Sequence, residues 1–223
     1  QRRTAGRAVV AIAAGPGLEA VFGEAGAHVI SGGPGQRAST GQILEAITAT
    51  GCAEVIVLPN DPDTVGVAEA AAAAAREQDL HVVVIPTRAQ VQGIAALAVH
   101  EPGRSFDSDV VQMTSAARGT RHGAVTVAAR QAMTMAGPCE VGDALGVVAG
   151  DFVSVGDDLF DVAVIVLERL MAGGGELVTL VPGEDAGDLV ARLEAVVERD
   201  HPEVDVIVYD GGQTRYPMLL AVE

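Results

Sequence analysis

The chain has 223 residues, with 30 Asp and Glu against 14 basic residues, all Arg, and a formal net charge of −16. That balance argues against nucleic acid, whose affinity rests on neutralising phosphates; the absence of Lys excludes a Schiff-base lysine and a Walker-type phosphate loop. It is 49% hydrophobic, with 3% aromatic residues and no Trp, so the core must be aliphatic, and no apolar run nears the ~20 residues of a membrane span.

In chain order, the first half alternates strand and helix. Residues 7–14 read as a continuously apolar strand and 18–25 as a short helix. A strand at 28–30 runs into Gly32, Gly33 and Gly35, and then into a helix that starts near Thr40 and ends near Gly51. Ser39 or Thr40 is placed to cap that helix, because a short hydroxyl accepts an unpaired first-turn N–H. The glycines let the backbone turn sharply and leave amides open to a small anion at the helix N-terminus; an ordinary strand-to-helix connection is the competing account. A strand at 54–58, an Ala-rich helix at 64–77, a strand at 81–85 and a helix at 90–99 complete the pattern. Continuous β-branched runs between helices indicate a parallel sheet buried on both faces. In such sheets ligands sit at the carboxyl ends of the strands. Four polar turns fall there: 14–17, the loop after residue 30, 58–61 and 86–88. They are expected to line one crevice.

A break at 101–104 precedes a helix at 106–118. After Gly119 the texture changes to short strands at 125–129, 132–136, 144–149 and 152–155, joined by Gly and Asp turns at 137–138, 142–143 and 150–151. Gly150-Asp151 suggests a tight hairpin. A helix at 158–171, ended by three glycines, leads to a strand at 177–181, a helix at 186–199, a strand at 204–209 and an apolar segment at 218–222. This half is α+β with a mixed or antiparallel sheet, giving expected lobes 1–120 and 121–223. Residues 210–217 form a shaped loop between two strands of the second lobe, with Gln213, Arg215 and Tyr216 either in a simple connection or over the crevice mouth.

Residues that could carry chemistry are sparse. His28, His81, His100, His122 and His201 show no metal-ligand spacing, and Cys52 and Cys139 imply no disulfide framework. No Gly-x-Ser-x-Gly elbow is present. Asp61 and Asp63 could hold Mg²⁺, although carboxylates are common at helix starts. No catalytic or metal-ligating set is assigned. The residues placed at the crevice are Gly15, Gly32, Gly33, Ser39, Thr40, Asn60, Thr87 and Gln92. With Gln1-Arg2-Arg3 running straight into a strand, no signal peptide is read, the chain is expected to be cytoplasmic, and its start without Met suggests a fragment of a longer chain.

The ordered motifs VAIAAGPGLEAVF (9–22), STGQILEAI (39–47), VIVLPND (55–61), IPTRAQVQGIAAL (85–97), GDALGVVAGDFVSVGDDL (142–159), ELVTLVPGEDA (176–186) and YDGGQTRYPMLLAVE (209–223) resemble one family. It is the C-terminal domain of the catalytic component of bacterial fatty acid kinase, also described as dihydroxyacetone-kinase-like or DAK phosphatase. The resemblance implies the two-lobed DegV fold: a parallel α/β/α lobe followed by an α+β lobe. It also implies lipid metabolism in the cytoplasm, with the kinase and central domains of the full-length chain and a fatty-acid-binding carrier as partners. ATP and magnesium belong to the kinase domain, and no cofactor is expected in this fragment. Members of the carrier family hold a fatty acid carboxylate with a Ser/Thr-rich loop and a second Ser-Gly-Thr loop. Ser39 and Thr40 match the first; Pro59-Asn60-Asp61 stands in place of the second, where Asp61 would repel an anion. The expectation is a non-catalytic interaction module, with fatty acid or small-anion binding, or a metal-dependent phosphatase, as alternatives.

Overall fold

The computed structural model describes residues 4–33 and 35–223, which cluster into two units, 1–119 and 120–223. Gln1, Arg2 and Arg3, read above as leading into the first strand, lie outside the described residues.

The first unit is built on four parallel strands, β1 (Thr4–Ala13), β2 (His28–Ser31), β3 (Cys52–Leu58) and β4 (His81–Val84), in the order β2-β1-β3-β4. Helices α1 (Pro16–Glu24), α2 (Thr40–Ala49), α3 (Val65–Arg76) and α4 (Gln90–Ala98) join or follow them, and α5 (Phe106–Gly119) packs on α4. One sheet face, with Val10, Ile12, Val55, Val57, Val82 and Val84, is covered by α2 and α3. The buried stripe of α3 is Ala68, Ala71, Ala72 and Ala75, and side chains that small let the helix lie close to the strands. On the other face, α1 and α4 pack against β1. The sheet is therefore buried on both faces, and every strand ends at the same edge.

The opposite edge is closed by charge. Arg7, inside β1, donates to the buried Asp109 of α5 at 3.0 Å, to Glu54 at the start of β3 at 3.3 Å, and to the Arg104 carbonyl at 3.0 Å. Asp109 also takes the Glu101 amide at 3.0 Å and lies 2.7 Å from His100 Nδ1. Burial works to raise the Asp109 pKa, but the Glu101 amide, His100 and Arg7 outweigh it and hold the carboxyl below its usual range. Phe106 stacks on His81 and lies beneath the Arg7 guanidinium.

The second unit carries a six-stranded mixed sheet in the order β11-β10-β12-β5-β8-β9. Its strands are β5 (Arg121–Val127), β8 (Ala144–Val148), β9 (Asp151–Gly156), β10 (Leu177–Pro182), β11 (Asp205–Val208) and β12 (Met218–Val222). Only β10 and β11 run parallel. Helices α6 (Leu159–Met171) and α7 (Leu189–Asp200) bury Val162, Val166, Leu167, Leu193 and Val197 against Val178, Leu180, Leu220 and Val222. A separate hairpin, β6 (Ala132–Thr134) with β7 (Gly137–Cys139), packs through Cys139 over Ala128 and Leu145.

Three expectations need correction here. Gly137-Pro138, read as a turn, belongs to β7, where Pro138 pairs opposite Met133 in a three-residue strand short enough to tolerate a missing donor. The β8–β9 turn is centred on Ala149 and Gly150, with φ of 50° and 88°, and not on Gly150-Asp151, because Asp151 already pairs with Val148. Helix α7 starts three residues later than read, since turns at Ala186 and Leu189 and the left-handed Gly187 (φ 55°) occupy 183–188.

Candidate functional site

The carboxyl ends of β2, β1, β3 and β4 stand side by side, so the four polar turns share one edge of the first sheet. In a sheet of this order the chain winds oppositely on either side of the β1/β3 junction, which opens the crevice where ligands bind. Here that junction is filled from within. Asn60, in the left-handed conformation after β3 (φ 58°), donates from Nδ2 to the Ile12 carbonyl at 3.0 Å. Thr87 Oγ1 donates to Asn60 Oδ1 at 2.8 Å and accepts the Asn60 N–H at 2.9 Å. Gln90 Nε2 donates to the Asn60 carbonyl, and Gln90 Oε1 accepts the Ala14 N–H. All three side chains are buried. Gly93 of α4 makes room for them: a Cβ there would lie 2.6 Å from Asn60 Cγ.

The glycine loop is also closed. The Gly32 N–H donates to the Ala13 carbonyl at 2.9 Å, and Gly33 exchanges two backbone bonds with Gln36. The expected open amides of Gly32 and Gly33 are therefore occupied. The loop is glycine because it lies against β1: a Cβ at Gly32 would meet Ile12 at 2.9 Å, and one at Gly33 would meet Ala14 at 2.7 Å. Ser39 forms a full capping box. Its hydroxyl accepts the Gln42 N–H at 3.1 Å, while Gln42 Oε1 accepts the Ser39 N–H at 2.8 Å. Thr40 is the first residue of the helix, with an exposed side chain. Gly15 precedes α1 and its carbonyl accepts the Glu19 N–H. Gln92 faces α5, donating to the Ala117 carbonyl at 3.3 Å and accepting the Arg88 N–H at 2.7 Å.

Asp61 does not project toward an anion. Its two oxygens accept the Asp63 N–H and the Thr64 hydroxyl, starting a short 3-10 turn, Pro62–Thr64. Asp63 pairs with Arg37 of the glycine loop at 2.6 Å on the exposed rim. Among the described residues, no group of three or more His, Cys, Asp or Glu side chains is arranged to hold a metal ion. The sequence reading placed Asn60 and Thr87 at this edge but missed Gln90, since helical periodicity does not show that the first residue of α4 turns inward. In the second unit, Gln213 is buried and donates from Nε2 to the Val181 and Tyr216 carbonyls at 2.8 and 3.0 Å, so it fastens the 210–217 loop to β10.

The model of the FakA-like C-terminal family, whose members are described as fatty acid kinase components, matches residues 8–223. The chain belongs to that family. An uncharacterised protein of Staphylococcus haemolyticus is 33% identical over 225 residues, covering all of this chain and 40% of its own length, so the chain spans about two fifths of that relative. Among solved structures, a Thermotoga maritima protein described as having a fatty acid binding function superposes with a TM-score of 0.69 at 11% identity, over 99% of both chains. The fatty acid kinase B3 protein of Streptococcus pneumoniae, loaded with linoleic acid, gives 0.62 at 10% identity, over 98% of this chain and 99% of that one. At such identities the likeness establishes the fold, which is that of the DegV family. No helix among the described residues is long and apolar enough to cross a membrane.

Proposed function

We propose that this domain is the non-catalytic C-terminal part of a cytoplasmic fatty acid kinase chain, and that it docks a DegV-type fatty-acid-binding carrier. In this reading, the kinase and central domains of the longer chain bind ATP and magnesium and phosphorylate the acyl carboxylate. The observation that carries the reading is the filled β1/β3 junction. Asn60, Thr87 and Gln90 satisfy one another there, and the Gly32 and Gly33 amides are bonded. A carboxylate would find few unpaired donors and would have to displace buried hydrogen bonds, each of which costs about 1–3 kcal/mol when left unmade.

Direct fatty acid binding by the domain is the second reading, favoured by the several DegV-fold neighbours described as fatty-acid-binding or fatty-acid-loaded. Calorimetric titration separates the two. The purified chain is expected to bind a fatty-acid-loaded DegV-family protein from the same genome, to show no saturable heat with oleate, and to leave ATP and magnesium unturned. Saturable oleate binding that Ser39→Ala with Thr40→Ala abolishes would transfer the function to the second reading. Metal-dependent turnover lost in Asp61→Asn would make the domain an enzyme.

A further inference from the structure

Beyond the β1/β3 edge, the chain carries one surface whose composition departs from the rest. Residues 110–139 contain no Asp or Glu, in a chain that has 30 of them. Within this stretch lies the β6–β7 hairpin, whose turn presents Met133 and Met135 at 79% and 90% exposure. The other three methionines, Met113, Met171 and Met218, are buried. Exposed Val127 at the end of β5 and Val141 just after the hairpin extend the apolar area. Two exposed arginines flank it. Arg130 opens the hairpin, and Arg215 is held beside β5 because its carbonyl accepts the Thr126 hydroxyl at 2.9 Å. Neither has a carboxylate within ion-pair distance among the described residues. The nearest acids along the chain bond locally: Glu140 accepts from Gln131, and Asp143 accepts the Glu140 amide.

We propose that the β6–β7 hairpin tip and the adjoining end of β5 form a docking face for a protein surface with an apolar centre and a carboxylate rim. This proposal rests on the carrier-docking reading and assigns that reading a location and a chemistry. The charge pattern selects the partner. A chain of net charge −16 repels an acidic partner everywhere except where acids are missing and guanidiniums stand free, so the acid-free face steers such a partner to itself. The methionines suit a protein surface, because unbranched thioether chains adapt to irregular apolar contours. An anionic membrane is disfavoured, since two arginines do not offset the charge of the whole chain near a lipid surface.

The test is titration of the 223-residue chain with the oleate-loaded DegV-family protein from the same genome. Met133→Ser with Met135→Ser, and separately Arg130→Glu with Arg215→Glu, are each expected to weaken binding by roughly tenfold or more. The affinity of the unaltered chain should fall as salt is raised. Ile165→Ser, an exposed position on α6, serves as the off-face control and should bind as the unaltered chain does. Melting by circular dichroism checks the fold, and Met135→Gln alone replaces any variant that melts early. Full affinity in both double variants would overturn this face and leave the docking reading standing. If the unaltered chain does not bind, the docking reading falls and the face falls with it. Sedimentation with phosphatidylglycerol vesicles that the methionine variant abolishes would overturn the protein partner in favour of a lipid surface.

Discussion

Asp109 is the residue on which the first unit's electrostatics converge. Its carboxylate is fully buried and is met by Arg7, the Glu101 amide and His100, while Arg104 Nη1 stands 3.8 Å away. Asp109→Asn would leave a buried guanidinium facing only the partly exposed Glu54. Removing one partner of a buried pair costs roughly 3–5 kcal/mol, and denaturant unfolding at pH 7 should show a loss of that size. The pH dependence follows from the lowered pKa. The folded value lies below the unfolded one of about 3.9, so the contribution is complete above that pH and is lost as pH falls through the folded value. The gap between the two proteins should therefore narrow on acidification; a gap that widened would refute the assignment. Gly93 is a second sensitive point. Gly93→Ala would drive a methyl into the Asn60 carboxamide, and overpacking of this kind costs about 1–3 kcal/mol.

At the scale of the element, turns and caps make their own predictions. Ala149 holds a left-handed conformation (φ 50°) in the β8–β9 turn, where glycine or asparagine sits with less steric cost. Ala149→Gly should raise stability by about 0.5–1 kcal/mol, read as a higher melting temperature, and an unchanged or lower one would contradict the strain. Ser39→Ala should cost about 1 kcal/mol through loss of the capping box. The helices and inner strands of the first unit were legible because apolar runs and capping residues are local signals. Strand ends were less legible wherever a polar residue serves a tertiary contact. Arg7 looked like the start of β1, yet the strand begins at Thr4, because the guanidinium is taken up by Asp109, 102 residues away. Arg121, His122 and Gly123 likewise hid the start of β5, where Gly123 lets Val166 and the Val147 carbonyl approach. At the candidate site, the sequence located the polar turns at one edge. It could not show that Asn60, Thr87 and Gln90 bond to each other, since that depends on three separate turns meeting.

For the molecule as a whole, charge sets an expectation that no single contact does. The surface ion pairs Arg37–Asp63, Arg76–Glu69, Arg192–Asp188 and Arg199–Asp200 are all partly or largely exposed. Each is worth about 0–1 kcal/mol, and salt weakens them. Against this stand the 16 negative charges left after every arginine is matched with an acid. They repel one another in the folded state, and salt relieves that repulsion too. The Debye length contracts from about 30 Å at 0.01 M salt to about 8 Å at 0.15 M, so repulsion across the surface is screened more completely than contacts at 2.6–3.9 Å. The net effect should be stabilising: the melting temperature at pH 7 is expected to rise between about 0.01 and 0.15 M sodium chloride, conditions set by that screening range. Asp109→Asn should show the same rise, because the cluster it disrupts is buried from the ions. A melting temperature that fell with salt would mean that the surface pairs outweigh the excess negative charge.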